Sequence, residues 1–116
     1  MGLAFLAACT AAPDCGNVHC IDAVVVHLPA GLDSVTSGEL LVCLERDCKE
    51  RTIDVGSGAA RRLPAAFPLM EAGEEAKAVL TLPDGRTFTA SGVLRPDRPN
   101  GPGCDPVCLH AQLVLA

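Results

Sequence analysis

The chain has no tryptophan and no tyrosine, and its phenylalanines are three: Phe5, Phe67 and Phe88. Any core must therefore be assembled from valine, leucine and alanine. A composition that is 49% hydrophobic supplies enough of them. Basic residues are also scarce. Nine Lys and Arg stand against fourteen Asp and Glu, a net charge of −5. No basic stripe is available to follow a phosphate backbone, so nucleic acid drops out as a partner. Electrostatic docking on an anionic bilayer is disfavoured on the same ground. Catalytic signatures are missing as well. There is no G-x-S-x-G, P-loop or G-x-G-x-x-G, and no C-x-x-C of the redox type. Ser57, between Gly56 and Gly58, is a loop serine with no assignable base. Asp14, Asp22 and Asp105 are scattered oxygens that do not form a calcium loop. No segment has the pattern of an amphipathic helix.

What the chain does have is punctuation. Eleven glycines and nine prolines lie mostly between short apolar runs, the pattern of a small all-β domain. At 116 residues the chain has room for one domain. The most informative stretch is Glu39 to Val55, E-L-L-V-C-L-E-R-D-C-K-E-R-T-I-D-V. A two-residue turn at Glu45 and Arg46 makes Leu44 face Asp47 and Cys43 face Cys48. The cysteines then occupy a non-hydrogen-bonded pair, where side chains approach most closely, and a disulfide fits there. In this register Leu40, Val42, Leu44, Ile53 and Val55 point inward. The disulfide lies on the wetter face with Glu50, Thr52 and Asp54.

Seven cysteines are an odd number. With Cys9 set aside, three close pairs remain: Cys15 and Cys20, Cys43 and Cys48, Cys104 and Cys108. Six cysteines allow 15 connectivities, and proximity in the chain favours these local pairs. Each would stiffen one turn.

Other runs alternate with period two. Ile21 to Leu28 reads as a strand, with Val24, Val26 and Leu28 on one face and Ala23, Val25 and His27 on the other. Arg61 to Met70 contains Pro64 and Pro68, which demote it to an edge strand or extended segment. Ala76, Ala78, Leu80 and Leu82 point inward from the next run, which ends at the Pro83-Asp84-Gly85 turn. Phe88, Ala90 and Leu94 point inward from the run after it. Arg95 to Pro106 reads as a Pro/Gly loop. Leu109, Ala111, Leu113 and Leu115 form the inward face of the last strand. The expected fold is all-β: a disulfide-stapled antiparallel sandwich of about seven strands.

Residues 1–9 read M-G-L-A-F-L-A-A-C. Leu6-Ala7-Ala8-Cys9 resembles the lipobox of bacterial lipoproteins, and the strand pattern resembles an immunoglobulin-like or transthyretin-like sandwich. Pro99 to Cys108 is similar to a segment of small actinobacterial secreted proteins. The lipoprotein resemblance implies cleavage before Cys9, a diacylglycerol on its thiol and an extracytoplasmic domain held at the membrane. It divides the chain into a shortened signal peptide with lipobox (1–9), a tether (10–19) and a sandwich domain (20–116). An oxidising compartment would turn the cysteines into disulfides. That weighs against zinc held by the Cys set with His19, His27 and His110, although the spacings loosely permit it.

The expected function is a non-catalytic binding or structural module at the cell envelope. It needs no cofactor or metal, and its partners are the membrane, through lipid on Cys9, and an envelope protein or polymer. Asn100, Gly101, Pro102 and Gly103 are the expected contact residues. They lie in a long loop preset by prolines, which loses little entropy on binding. A rigid connector is an equal reading of the same loop. The alternative function is a small secreted enzyme or metal-binding domain using the Cys/His set.

Overall fold

The structure, a computed structural model, describes residues 15–56 and 58–116. Cys9, the leader, the first part of the tether and Ser57 lie outside the described residues. Eight strands follow in order: β1 (Ala23–His27), β2 (Ser37–Cys43), β3 (Cys48–Asp54), β4 (Arg62–Ala65), β5 (Glu75–Thr81), β6 (Thr87–Val93), β7 (Arg95–Asp97) and β8 (Cys108–Val114). Among the described residues there is no helix. The strands form two four-stranded sheets, β4-β1-β8-β7 and β3-β2-β5-β6.

The all-β expectation holds, with one strand more than expected. The added strand is β7, at the start of the segment read as a loop. Leu94, 1% exposed, is the reason. It plugs into the core between β6 and β7, so the chain changes sheets there and its next three residues pair with β8. β7 is an edge strand, where Pro96 is tolerated. The two sheets also meet beyond this corner. Thr89 and Ala116 exchange both backbone hydrogen bonds, at 3.1 and 3.2 Å.

The inward faces follow the alternation. Val24, Val26, Leu40, Val42, Leu44, Ile53, Val55, Ala76, Ala78, Leu80, Leu82, Ala111, Leu113 and Leu115 make one buried cluster, with Phe88, Ala90 and Leu109 packed against it. On β1 the opposite face is closed too, since Ala23 and Val25 are each 2% exposed. β1 lies between β4 and β8, and a strand covered on both faces reads as a continuous apolar run. β4 carries Pro64 and is the edge of its sheet, as the prolines indicate.

The β2–β3 hairpin has the expected register. Cys43 pairs with Cys48, and the Leu44 N–H donates to the Asp47 carbonyl at 2.7 Å. The Cys43–Cys48 disulfide spans 4.0 Å between Cα atoms. Cys48 is exposed and Cys43 half-buried, so the rung sits on the wetter face.

Two departures are linked. β1 and β8 pair in parallel, Ala23 opposite His110 and His27 opposite Val114, whereas every other pair is antiparallel. The remaining disulfides are Cys15–Cys104 and Cys20–Cys108, not the local pairs Cys15–Cys20 and Cys104–Cys108. Parallel pairing explains the correction. The segment entering β1 runs beside the segment entering β8, in the same direction. Each cysteine of one segment therefore meets its counterpart in the other. A local pair would require each segment to fold back on itself.

Candidate binding surface

The two long-range disulfides define one end of the sandwich, where β1 and β8 begin and β7 ends. Residues 15–22 and 98–107 form this pole. At its centre is Asn100, 9% exposed and the one buried polar residue among the described residues. Its Oδ1 accepts from the Val18 N–H at 2.8 Å. Its Nδ2 donates to the carbonyls of Val18 and Asp105, each at 2.9 Å. The side chain thus completes the backbone bonding of Val18 as a neighbouring strand would. Gly16 passes so close that a Cβ there would lie 2.9 Å from Asn100 Oδ1.

More bonds seal the seam between the two segments. Asp22 Oδ1 accepts from the Leu109 N–H at 2.8 Å. The His110 Nε2–H donates to the Ile21 carbonyl at 2.8 Å, and its Nδ1 lies 3.3 Å from the Asp97 carboxylate. A carbonyl only accepts, so the proton on Nε2 is fixed by geometry. This histidine ties the entry to β1, β7 and β8 together.

Of the expected contact residues, Asn100 is committed inward. Gly101 is half-buried, while Pro102 and Gly103 are exposed and form the crest. Gly101 and Gly103 have φ of 102° and 75°, a left-handed backbone that glycine adopts without strain. The crest is therefore held from both sides, by Asn100 before it and by Cys104 after it. Exposed Val18, Ile21 and Val107 lie on the same pole.

The chemistry expected of a metal or acid–base centre needs converging groups. Among the described residues no three His, Cys, Asp or Glu side chains are placed to hold a metal. His27 belongs to a different contact, its Nε2 lying 2.6 Å from Gln112 Oε1 on the outer face of its sheet. At the opposite pole the Arg86 backbone N–H and then its guanidinium hold the Asp84 carboxyl below the usual carboxylate range. That pair closes the β5–β6 turn, and both side chains face solvent. Comparisons with family models, curated proteins and solved structures returned no match.

Sequence reasoning missed the hub role of Asn100. An asparagine among prolines and glycines has the signature of a turn residue. Nothing local reveals that its amide serves Val18, 82 residues away.

Proposed function

We propose that the chain is an exported, lipid-anchored, non-catalytic β-sandwich that acts as a binding or structural module at the cell envelope. The observation that carries this reading is the splice at the stapled pole. Two disulfides and the Asn100 bracket fix the segment that follows Cys9 to one end of the domain. Three disulfides also fit an extracytoplasmic location. Cys15 lies six residue steps beyond Cys9, and an extended chain of that length spans at most about 22 Å. A lipid on Cys9 would therefore hold the stapled pole near the bilayer and orient the domain. The immunoglobulin-like likeness belongs to the same proposal, with the loop crest at Pro102 and Gly103 as its contact surface.

The test is mass spectrometry on protein from its native host, combined with membrane fractionation. The expected species begins at a diacylated Cys9 and partitions with membranes, since two acyl chains anchor firmly where one does not. An intact Met1 with an unmodified Cys9 would sink the proposal.

A further inference from the structure

A second surface lies between the tip of the β2–β3 hairpin and the segment joining β4 to β5. Leu44, Glu45, Arg46 and Asp47 form one wall, and Pro68, Leu69, Glu71 and Glu74 the other, around a cleft of about 240 Å³. Leu44 is 6% exposed and closes the base, while Leu69 is 73% exposed at the lip. The segment carrying Leu69 is fixed. Phe67, just before it, is buried, and Lys49 Nζ sits 5.4 Å from its ring centroid. At the other end the Gly73 N–H donates to the Leu94 carbonyl, and the Leu94 N–H to the Glu74 carbonyl, at 2.8 and 2.9 Å.

One side chain joins the two walls. The Glu74 carboxylate accepts from the Glu45 N–H through Oε2 and from the Glu71 N–H through Oε1, both at 3.2 Å. The hairpin wall is stapled by Cys43–Cys48 just behind its tip. The cleft is thus formed in advance, and an occupant need not order it.

Its size and charge select the occupant. Small-molecule sites usually enclose about 300–1,000 Å³, so this cleft suits one or two aliphatic side chains of a larger partner. Its rim carries Glu45, Asp47, Glu71 and Glu74 against the single cation Arg46. The ion pairs among the described residues involve none of these four carboxylates. An anionic headgroup would be repelled, whereas lysine or arginine beside an apolar residue would be attracted.

We infer that the cleft between Leu44 and Leu69 docks a cationic segment of a partner protein, an aliphatic side chain entering over Leu44 with flanking Lys or Arg on the acidic rim. This deepens the binding-module reading and names a partner class for it, but it does not depend on the lipid. The full chain with Cys9→Ser therefore serves for the test, and loss of the lipidation reading would leave it untouched. The probes are a capped Lys-Leu-Lys-Leu-Lys peptide and its Glu-Leu-Glu-Leu-Glu counterpart, followed by amide-resolved NMR. The expected result is saturable shifts confined to residues 44–47 and 68–74 with the cationic peptide alone. Affinity should fall about tenfold with Leu69→Ser, the scale of one incompletely buried leucine. It should fall severalfold with Glu45→Gln/Glu71→Gln or on raising salt tenfold, because exposed charges are screened. Glu45, Leu69 and Glu71 are all exposed, so these variants should fold. Equal binding of the acidic peptide, shifts elsewhere, absence of shifts, or unchanged affinity in the variants would each overturn the inference. So would shifts at these residues with anionic vesicles of phosphatidylglycerol in place of peptide.

Discussion

The two sheets are built from the same kinds of residue but assembled by different logic. In β3-β2-β5-β6, two of the three pairings are hairpins between consecutive strands, β2 with β3 and β5 with β6. Each is closed by a short turn, and the one disulfide joins residues five apart. In β4-β1-β8-β7, the central pairing joins β1 to β8 across nearly the whole chain, and in parallel. Its two disulfides have sequence separations of 89 and 88. Closing a chain this long is entropically costly, and a parallel pair is slightly weaker per residue than an antiparallel one. The covalent staples lie where non-covalent closure is most expensive.

Removing both long-range pairs, by Cys15→Ser, Cys20→Ser, Cys104→Ala and Cys108→Ala together, should therefore have the largest effect on stability. In the chain-entropy model the first staple, over almost ninety residues, is worth roughly 4.5 kcal/mol. Once it exists, the second closes only the short remaining ring and adds roughly 2.5 kcal/mol. The quadruple variant should thus lose roughly 7 kcal/mol, comparable to the whole stability of many domains. Removing either pair alone should cost roughly 2.5 kcal/mol, because the other still closes the long loop. This non-additivity is the signature of two parallel staples. Urea unfolding followed by far-UV circular dichroism measures it, and non-reducing peptide mapping checks the pairs directly. A peptide linking Cys15 to Cys20 would break the comparison between the sheets.

The same difference explains what the sequence makes legible. Leu40, Val42, Leu44, Ile53 and Val55 are readable because alternation assigns a face and a short turn assigns a register. Cys43 and Cys48 follow from that register alone. Val24 and Val26 are equally readable as a buried face. Nothing in their alternation, however, says that β8 lies beside them or that it runs parallel. The pairs Cys15–Cys104 and Cys20–Cys108 depend on that neighbour, so proximity in sequence points to the wrong partners. Leu94 shows a smaller version of the same limit. Its inward direction is evident, but the change of sheet it causes is a tertiary event. The cleft is hidden for a further reason: Leu69 lies beside Pro68 in a segment with no clean period, and nothing local separates an exposed leucine from a buried one.

Asn100 offers a non-covalent probe of the stapled sheet. Asn100→Ala removes three hydrogen bonds and leaves the Val18 N–H and two carbonyls without those partners. At about 1 kcal/mol each the loss should approach 3 kcal/mol, read as a lower urea midpoint. Asn100→Asp keeps the acceptor for Val18 but sets a carboxylate against the carbonyls of Val18 and Asp105, so it should not rescue. Hydrogen exchange at the Val18 amide should accelerate in Asn100→Ala, which removes its acceptor, and much less in Asn100→Asp, which keeps it. If stability is unchanged, the disulfides alone hold the pole and the bracket is incidental.

The smallest effect should come from the hairpin rung. Cys43→Ala/Cys48→Ala opens a ring of only a few residues, for which the chain-entropy model gives at most about 2 kcal/mol. The flanking structure limits the loss further. Leu44 stays buried, its N–H still donates to the Asp47 carbonyl, and β2 still pairs with both β3 and β5. Unfolding should remain cooperative, with a midpoint shift well below that of the quadruple variant. The change should be local, as faster hydrogen exchange at Leu44 and Glu45 with the β1–β8 amides unaffected. A loss as large as that from the long-range staples would mean that the hairpin is not self-sufficient, and the contrast between a locally built sheet and a covalently closed one would fail.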